Sequence, residues 1–165
     1  MQDLKNAVEK HQKLILDAER WLWAHPETGY KEWESAKYIT DVFEGLGYEL
    51  TQAGDIPGFY TVLDTGRPGP NVLIMAELDS VICPSHPECN PETGAVHSCG
   101  HHAQITGVVG AAMALTDPEV KEAMGGNICF FAVPAEEFVD IEWKNQMMKE
   151  GKLGYGGGKC ELIRI

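Results

Sequence analysis

Two apolar runs constrain this chain more than anything else in it. Val72-Leu73-Ile74-Met75-Ala76 stops abruptly at Glu77-Leu78-Asp79, and Ile128-Cys129-Phe130-Phe131-Ala132-Val133 opens through Pro134-Ala135 into Glu136-Glu137. Runs of this length and composition suit central strands covered on both faces. Open α/β sheets bind ligands beyond the carboxyl ends of such strands, so each run delivers its carboxylates where a site is expected.

The segment between the runs supplies complementary chemistry. Residues 80–96 form a long loop rich in Pro, Cys and Glu, and loops of that length in a compact domain are usually functional or flexible. The loop leads into His97-Ser98-Cys99-Gly100-His101-His102, after which Ile105, Val108, Val109, Ala112, Met113 and Leu115 trace one face of a helix over residues 103–115. The cluster therefore sits at a helix N-terminus, where the dipole and free N–H groups are expected to lower the Cys99 pKa and favour a thiolate.

A thiol, imidazoles and paired carboxylates make a metal site's inventory. Zinc accepts all three donor types in one tetrahedral shell, and a catalytic zinc needs only three protein ligands. Adjacent carboxylates such as Glu136 and Glu137 can then divide the labour, one binding metal and one taking a proton from water. Each residue alone has a plainer use: a lone Cys packs as a small hydrophobe, and a Glu pair is a solvated turn.

The remaining elements read as α/β. Apolar residues from Leu4 to Leu22 recur at helical spacing over residues 2–24, and His25-Pro26 ends that helix. A second helix spans residues 31–46, with Gly47 placed as its C-terminal cap. Trp21, Trp23 and Trp33 are expected in the core where these helices meet the sheet; His11 and His25 read as packing and loop residues. Strands follow at residues 48–52 and 59–63. Asp117-Pro118 starts a short helix, residues 139–149 form another with Trp143 and Met147 inward, and the Gly154-to-Lys159 stretch reads as a flexible turn. Residues 160–165 read as extended. The expected fold is a mixed sheet flanked by helices, in one domain without repeats.

Composition narrows the partners. Twenty-five acidic against thirteen basic residues give a formal charge of −12, which repels nucleic acid and anionic membrane. The N-terminal stretch lacks the apolar core of a signal peptide, and five cysteines are an odd number. We therefore expect a cytoplasmic protein with reduced thiols.

The motifs His25-Pro26-Glu27-Thr28-Gly29-Tyr30-Lys31-Glu32, Glu77-Leu78-Asp79, Cys99-Gly100-His101-His102 and Pro134-Ala135-Glu136-Glu137, in this order, resemble the zinc-dependent amidohydrolases of the M20 peptidase family. The likeness is to the branch acting on N-acyl amino acids and aminobenzoyl-glutamate-like amides. It implies a partial catalytic domain of zinc-dependent exopeptidase-like fold carrying two divalent ions, zinc with manganese or cobalt as alternatives. By this likeness Cys99 is the bridging thiolate, His101 and Glu137 are metal ligands, Glu136 is the general base, and Asp79 orients a metal-bound imidazole. Glu77 stands where the branch usually has Asp, and His102 also stands where it has Asp. Small N-acyl amino acid or peptide-like substrates are implied. Family members continue into a lid domain that dimerises and a C-terminal part with further His ligands, so residues 1–165 are expected to be the N-terminal portion, weakly active or inactive alone.

Two other readings compete. Cys83-x2-His86-x2-Cys89, with Cys99 or His97 as fourth ligand, would make the 83–99 loop a structural zinc site and the chain a noncatalytic scaffold. A Cys99 nucleophile with His101 as base is the poorer option, because residues two apart at a helix start rarely reach the needed geometry.

Overall fold

The computed structural model describes residues 2–165, with α1 (Gln2–Lys10), α2 (Gln12–Ala24), α3 (Trp33–Gly45), β1 (Thr51–Gln52), β2 (Phe59–Asp64), β3 (Asn71–Glu77), β4 (Val81–Ile82), β5 (Ala95–Val96), α4 (His101–Leu115), α5 (Pro118–Glu122), β6 (Asn127–Val133), α6 (Ile141–Lys149) and α7 (Gly158–Arg164) in chain order. Four strands form a mixed sheet in the order β1-β2-β6-β3, and β4 with β5 forms a small antiparallel pair inside the long loop.

Strand β6 lies at the centre, antiparallel to β2 and parallel to β3, with Glu77 opposite Val133 in the register. Parallel neighbours need a crossover, and α4 supplies it. The helix must run back across the sheet, so its N-terminus returns to the edge where β3 and β6 both end. Leu78 N–H continues the ladder onto the Val133 carbonyl at 2.8 Å, keeping the two strand tips together beyond the sheet.

The core lies between this sheet and the helices. Phe43, Tyr48, Phe59 and Phe130 form an aromatic centre, and Leu22, Ile39, Ile105, Val109 and Ala112 complete it from the helices. Alternation along β2 is strict: Phe59, Thr61 and Leu63 point inward, and Tyr60, Val62 and Asp64 outward. Helix α3 ends as its sequence predicts. Gly47 takes φ +87°, its N–H reaches the Glu44 carbonyl at 2.9 Å, and Tyr48 N–H reaches Phe43 at 3.1 Å.

Several expectations are corrected. The predicted first helix is broken at His11, and the strand predicted over residues 48–52 is reduced to Thr51–Gln52. The second helix starts at Trp33, because the Glu27 carboxylate takes the N–H groups of Glu34 and Ser35 at 3.2 and 2.8 Å. β3 is an edge strand: Val72, Leu73 and Met75 are 45%, 53% and 43% exposed, and no described residue pairs beyond it. Helices therefore line one face of the sheet, and Tyr60, Val62, Leu73 and Met75 lie open on the other. Trp33 is exposed, whereas Trp21 packs against the core as expected, stacked on His25 and Tyr38, and Trp23 stands edge-on to His102.

The tail differs most. Residues expected to be extended form α7, because buried Glu161 accepts the N–H groups of Gly154 and Tyr155 at 2.9 and 2.8 Å and pairs with Arg164. The glycine-rich turn is thereby pinned, and Leu162 packs into a second apolar cluster with Tyr30, Ile56, Ala135 and Leu153. In α6 it is Lys144 that is buried, at 2% exposure, while Trp143 and Met147 are half-buried around it.

Candidate metal centre

Three of the five residues singled out by sequence meet at the edge where β3 and β6 end. A Cys99 sulfur, a His101 ring nitrogen and a Glu137 carboxylate oxygen all lie within 4.8 Å of one another, and no other such trio of His, Cys, Asp and Glu forms among the described residues. Gly100 at φ +116° lets the chain turn between Cys99 and His101, so the thiol and the first helical imidazole face the same way.

Asp79 organises the group from beneath. It is fully buried, and its Oδ2 accepts the Glu137 N–H at 2.8 Å. His101 Nδ1 donates to the Asp79 carbonyl at 2.9 Å, with Asp79 Oδ1 at 3.2 Å. With Nδ1 thus occupied, Nε2 faces Glu136 Oε2 at 3.6 Å and Glu137 Oε1 at 3.8 Å. A ring held by a carboxylate on one nitrogen and free on the other is the arrangement that raises ligand basicity. Glu136 is the more exposed of the two carboxylates, 41% against 17% for Glu137, so it stands nearer incoming solutes.

Crowded acids dominate the electrostatics. The Glu137 hydrogen bond, then burial and the Glu137, Glu136 and Asp79 charges push the Cys99 thiol up to about 11. This overturns the expected lowering: at this helix start the neighbouring carboxylates outweigh the dipole. Burial works against the His101 imidazolium, but the Asp79 carboxylate and carbonyl outweigh it and hold His101 up to about 9. Asp79 is held low although burial opposes it, because His101 and the Glu137 and Glu136 N–H groups favour its anion.

The donor set fits a divalent cation. Glu137 Oε1 is buried without a hydrogen-bond partner among the described residues, and the Glu137 hydrogen bond, burial and the neighbouring carboxylates all favour the protonated thiol. A divalent cation held by Cys99, His101 and Glu137 would offset that negative charge and favour the thiolate.

Asp79→Asn tests this electrostatic account in chelator-treated protein. A His101 held near 9 contributes stability that is fully present below its ordinary 6.5 and is lost as pH rises through about 9. We expect the melting temperature of the parent chain to decline across that window and the Asp79→Asn variant to show a flatter profile. Equal slopes in the two proteins would contradict the coupling.

The other residues fall outside the trio. His97 is buried with neither ring nitrogen hydrogen-bonded among the described residues, and burial, with His102 and His101, brings it down to about 4. His102 turns away, its Nε2 3.3 Å from Glu19 and its ring against Trp23. Glu77 pairs with Lys159 at 2.6 Å. In the long loop Cys83, His86 and Cys89 do not converge. The Cys89 thiol donates to the Pro84 carbonyl, and His86 Nδ1 accepts the Glu88 N–H, so the structural zinc site is not assembled. All five cysteines are free.

Sequence reasoning missed Glu32 and Lys144. Glu32 is fully buried, and burial pushes it up to about 8, while burial lowers Lys144. Glu32 ends the motif at residues 25–32, but periodicity says nothing of a loop side chain. Lys144 was hidden because Trp143 and Met147 define the expected inward face of its helix.

Sheet, crossover helix and acid-tipped parallel strands make this a mixed α/β domain with its candidate site at the carboxyl ends of β3 and β6. No family model matches it. It is 27% identical over 157 residues to one subunit of the p-aminobenzoyl-glutamate hydrolase of Escherichia coli, covering 90% of this chain and 32% of that protein. It is 30% identical over 137 residues to an IAA-amino acid hydrolase of Arabidopsis thaliana, covering 81% of this chain and 30% of that one. Among solved structures it resembles a candidate aminohydrolase of methicillin-resistant Staphylococcus aureus, with TM-score 0.77, 25% identity and coverage of 99% of this chain and 38% of the other. A dinuclear metal binding peptidase of the M20 family from Bacillus subtilis shares the fold at TM-score 0.68 and 23% identity, over 87% of this chain and 40% of its own. The relatives it resembles are hydrolases and carboxypeptidases, and it shares the fold of an M20 family peptidase. It spans about a third of the length of the curated relatives it matches.

Proposed function

We propose that residues 1–165 are the N-terminal portion of the catalytic domain of a metal-dependent amidohydrolase that cleaves the amide bond of N-acyl amino acid-like substrates. The convergence of Cys99, His101 and Glu137 within 4.8 Å carries this reading. Cys99, His101 and Glu137 would hold the metal, with zinc the ion best suited to a mixed sulfur, nitrogen and oxygen set. When bound, such an ion supplies Lewis acidity that polarises a carbonyl and acidifies water.

The chain's own residues supply the rest. Glu136, exposed beside the trio, takes the proton of the attacking water on its carboxylate and passes it to the leaving amine. Asp79 keeps the His101 ring and the Glu137 backbone in place throughout. The hydrolase and carboxypeptidase names of the relatives support the reaction class. The relatives' greater length, and the bare apolar face and open edge at β3, support a domain whose remainder lies outside these residues. Family dimerisation would then belong to that remainder. Among the described residues no helix is long and apolar enough to cross a membrane; a cytoplasmic location remains our reading from the sequence.

The test is hydrolysis of N-acyl amino acids by the metal-loaded chain. We expect weak or absent turnover, and any turnover to disappear in Glu136→Gln with metal binding retained. Sustained turnover that survives this substitution would defeat the assignment of Glu136, and vigorous turnover lost with it would defeat the assignment of a partial domain.

A further inference from the structure

The loop between α2 and α3 carries an acid that the proposed chemistry does not use. Glu32 is fully buried, no cation lies within ion-pairing distance of it among the described residues, and its Oε2 has no hydrogen-bond partner there. Burying a carboxyl costs stability unless something is gained from its position. Its Oε1 accepts the Ala135 N–H at 2.7 Å. Ala135 is itself buried and sits at φ +52°, a left-handed conformation that side-chain-bearing residues adopt at a cost and keep only where surroundings enforce it.

The four outer backbone groups of the Ala135-Glu136-Glu137 turn are all satisfied from outside it. Ala135 N–H goes to Glu32, and the Ala135 carbonyl accepts Gly158 N–H at 3.0 Å. Glu137 N–H goes to Asp79, and the Glu137 carbonyl accepts Lys144 Nζ at 2.8 Å. Gly29 closes the packing, since a Cβ on it would come within 2.9 Å of Ala135 and of Lys144 Nζ. The same loop reaches the other strand tip: the Glu27 carbonyl accepts Ser80 N–H and Oγ–H at 2.8 and 2.9 Å, one residue beyond Asp79.

We propose that Glu32 and Lys144 are positioning residues that grip the two ends of the Ala135-Glu136-Glu137 turn and so aim both carboxylates at Cys99 and His101. Neither residue belongs to the trio of donors. The inference rests on the reading of Cys99, His101 and Glu137 as metal ligands, and it gives the motif at residues 25–32 a physical role in bracing both acid-bearing strand tips.

Cobalt(II) titration of the whole chain tests it, read by thiolate-to-cobalt absorption, with near-ultraviolet dichroism reporting the fold. Glu32→Leu keeps the volume and removes the acceptor; we expect a folded protein with cobalt affinity about 10–100-fold weaker, the range for lost outer partners of ligands. Glu32→Gln keeps an acceptor for Ala135 N–H and should restore affinity close to the parent's. Lys144→Met should weaken cobalt binding in the same direction, and it decides the matter if Glu32→Leu does not fold. Parent-like affinity and spectrum in folded Glu32→Leu, or in Lys144→Met, would overturn the proposal. A parent chain whose cobalt absorption is absent, or unchanged by Cys99→Ser, would overturn the ligand reading first and this inference with it.

Discussion

Cys99→Ser is expected to abolish stoichiometric binding of zinc or cobalt. Serine preserves size but replaces a soft sulfur, which a borderline metal binds as thiolate, with a hydroxyl that does not ionise near neutrality. The loss should exceed the roughly 10–100-fold typical of outer-shell changes, because the sulfur is one of the three donors gathered here among the described residues. Stability gives a second readout. A ligand at about one hundred times its dissociation constant adds about 2.7 kcal/mol, which for a chain of this size raises the melting temperature by roughly 5–11 °C. The parent should show that rise and Cys99→Ser should not. An equal rise in both would place the bound ion elsewhere, and the amidohydrolase reading would lose its main support.

Phe130→Ala should cost about 3–5 kcal/mol, the range for emptying a buried aromatic site. Phe130 is fully buried on the central strand, with ring centroids 5.7 Å from those of Phe43 and Tyr48. Those rings come from α3 and the segment after it, so one side chain ties the sheet to the helical layer. Domains are stable by only about 5–15 kcal/mol, and the variant should lose a large part of its urea midpoint. A change below about 1 kcal/mol, the ordinary effect of a point substitution, would mean that the core does not close around β6 as described.

The two acid-tipped strands were legible because each is an uninterrupted apolar run with a sharp polar end. Gly47 was legible as a cap because few other residues take positive φ there. The trio was legible as chemistry, through donor types and the Cys-x-His spacing. Layer coverage was not: Val72, Leu73 and Met75 read as buried on both faces, but burial depends on what lies alongside, and β3 has an open edge. The tail was misread because Leu162-Ile163 suits a strand locally, while the contacts that make it helical run back from Glu161 to Gly154 and Tyr155. The Cys99 shift was misjudged for the same kind of reason. The helix start is a local feature, whereas Glu137 reaches the thiol from a strand tip 38 residues away in the chain.

Sequence alone therefore determined the kinds of donor, the strands that present them and the helix that begins beside them, since side-chain chemistry and short-range periodicity are written residue by residue. Only tertiary structure decided that Cys99, His101 and Glu137 meet, that Asp79 serves His101 and Glu137 at once, and that Glu32 and Lys144 lie behind the turn. Those outcomes depend on distances between segments far apart in the chain, and such distances are fixed by the parallel register of β3 and β6 and by the packing of α4 across them.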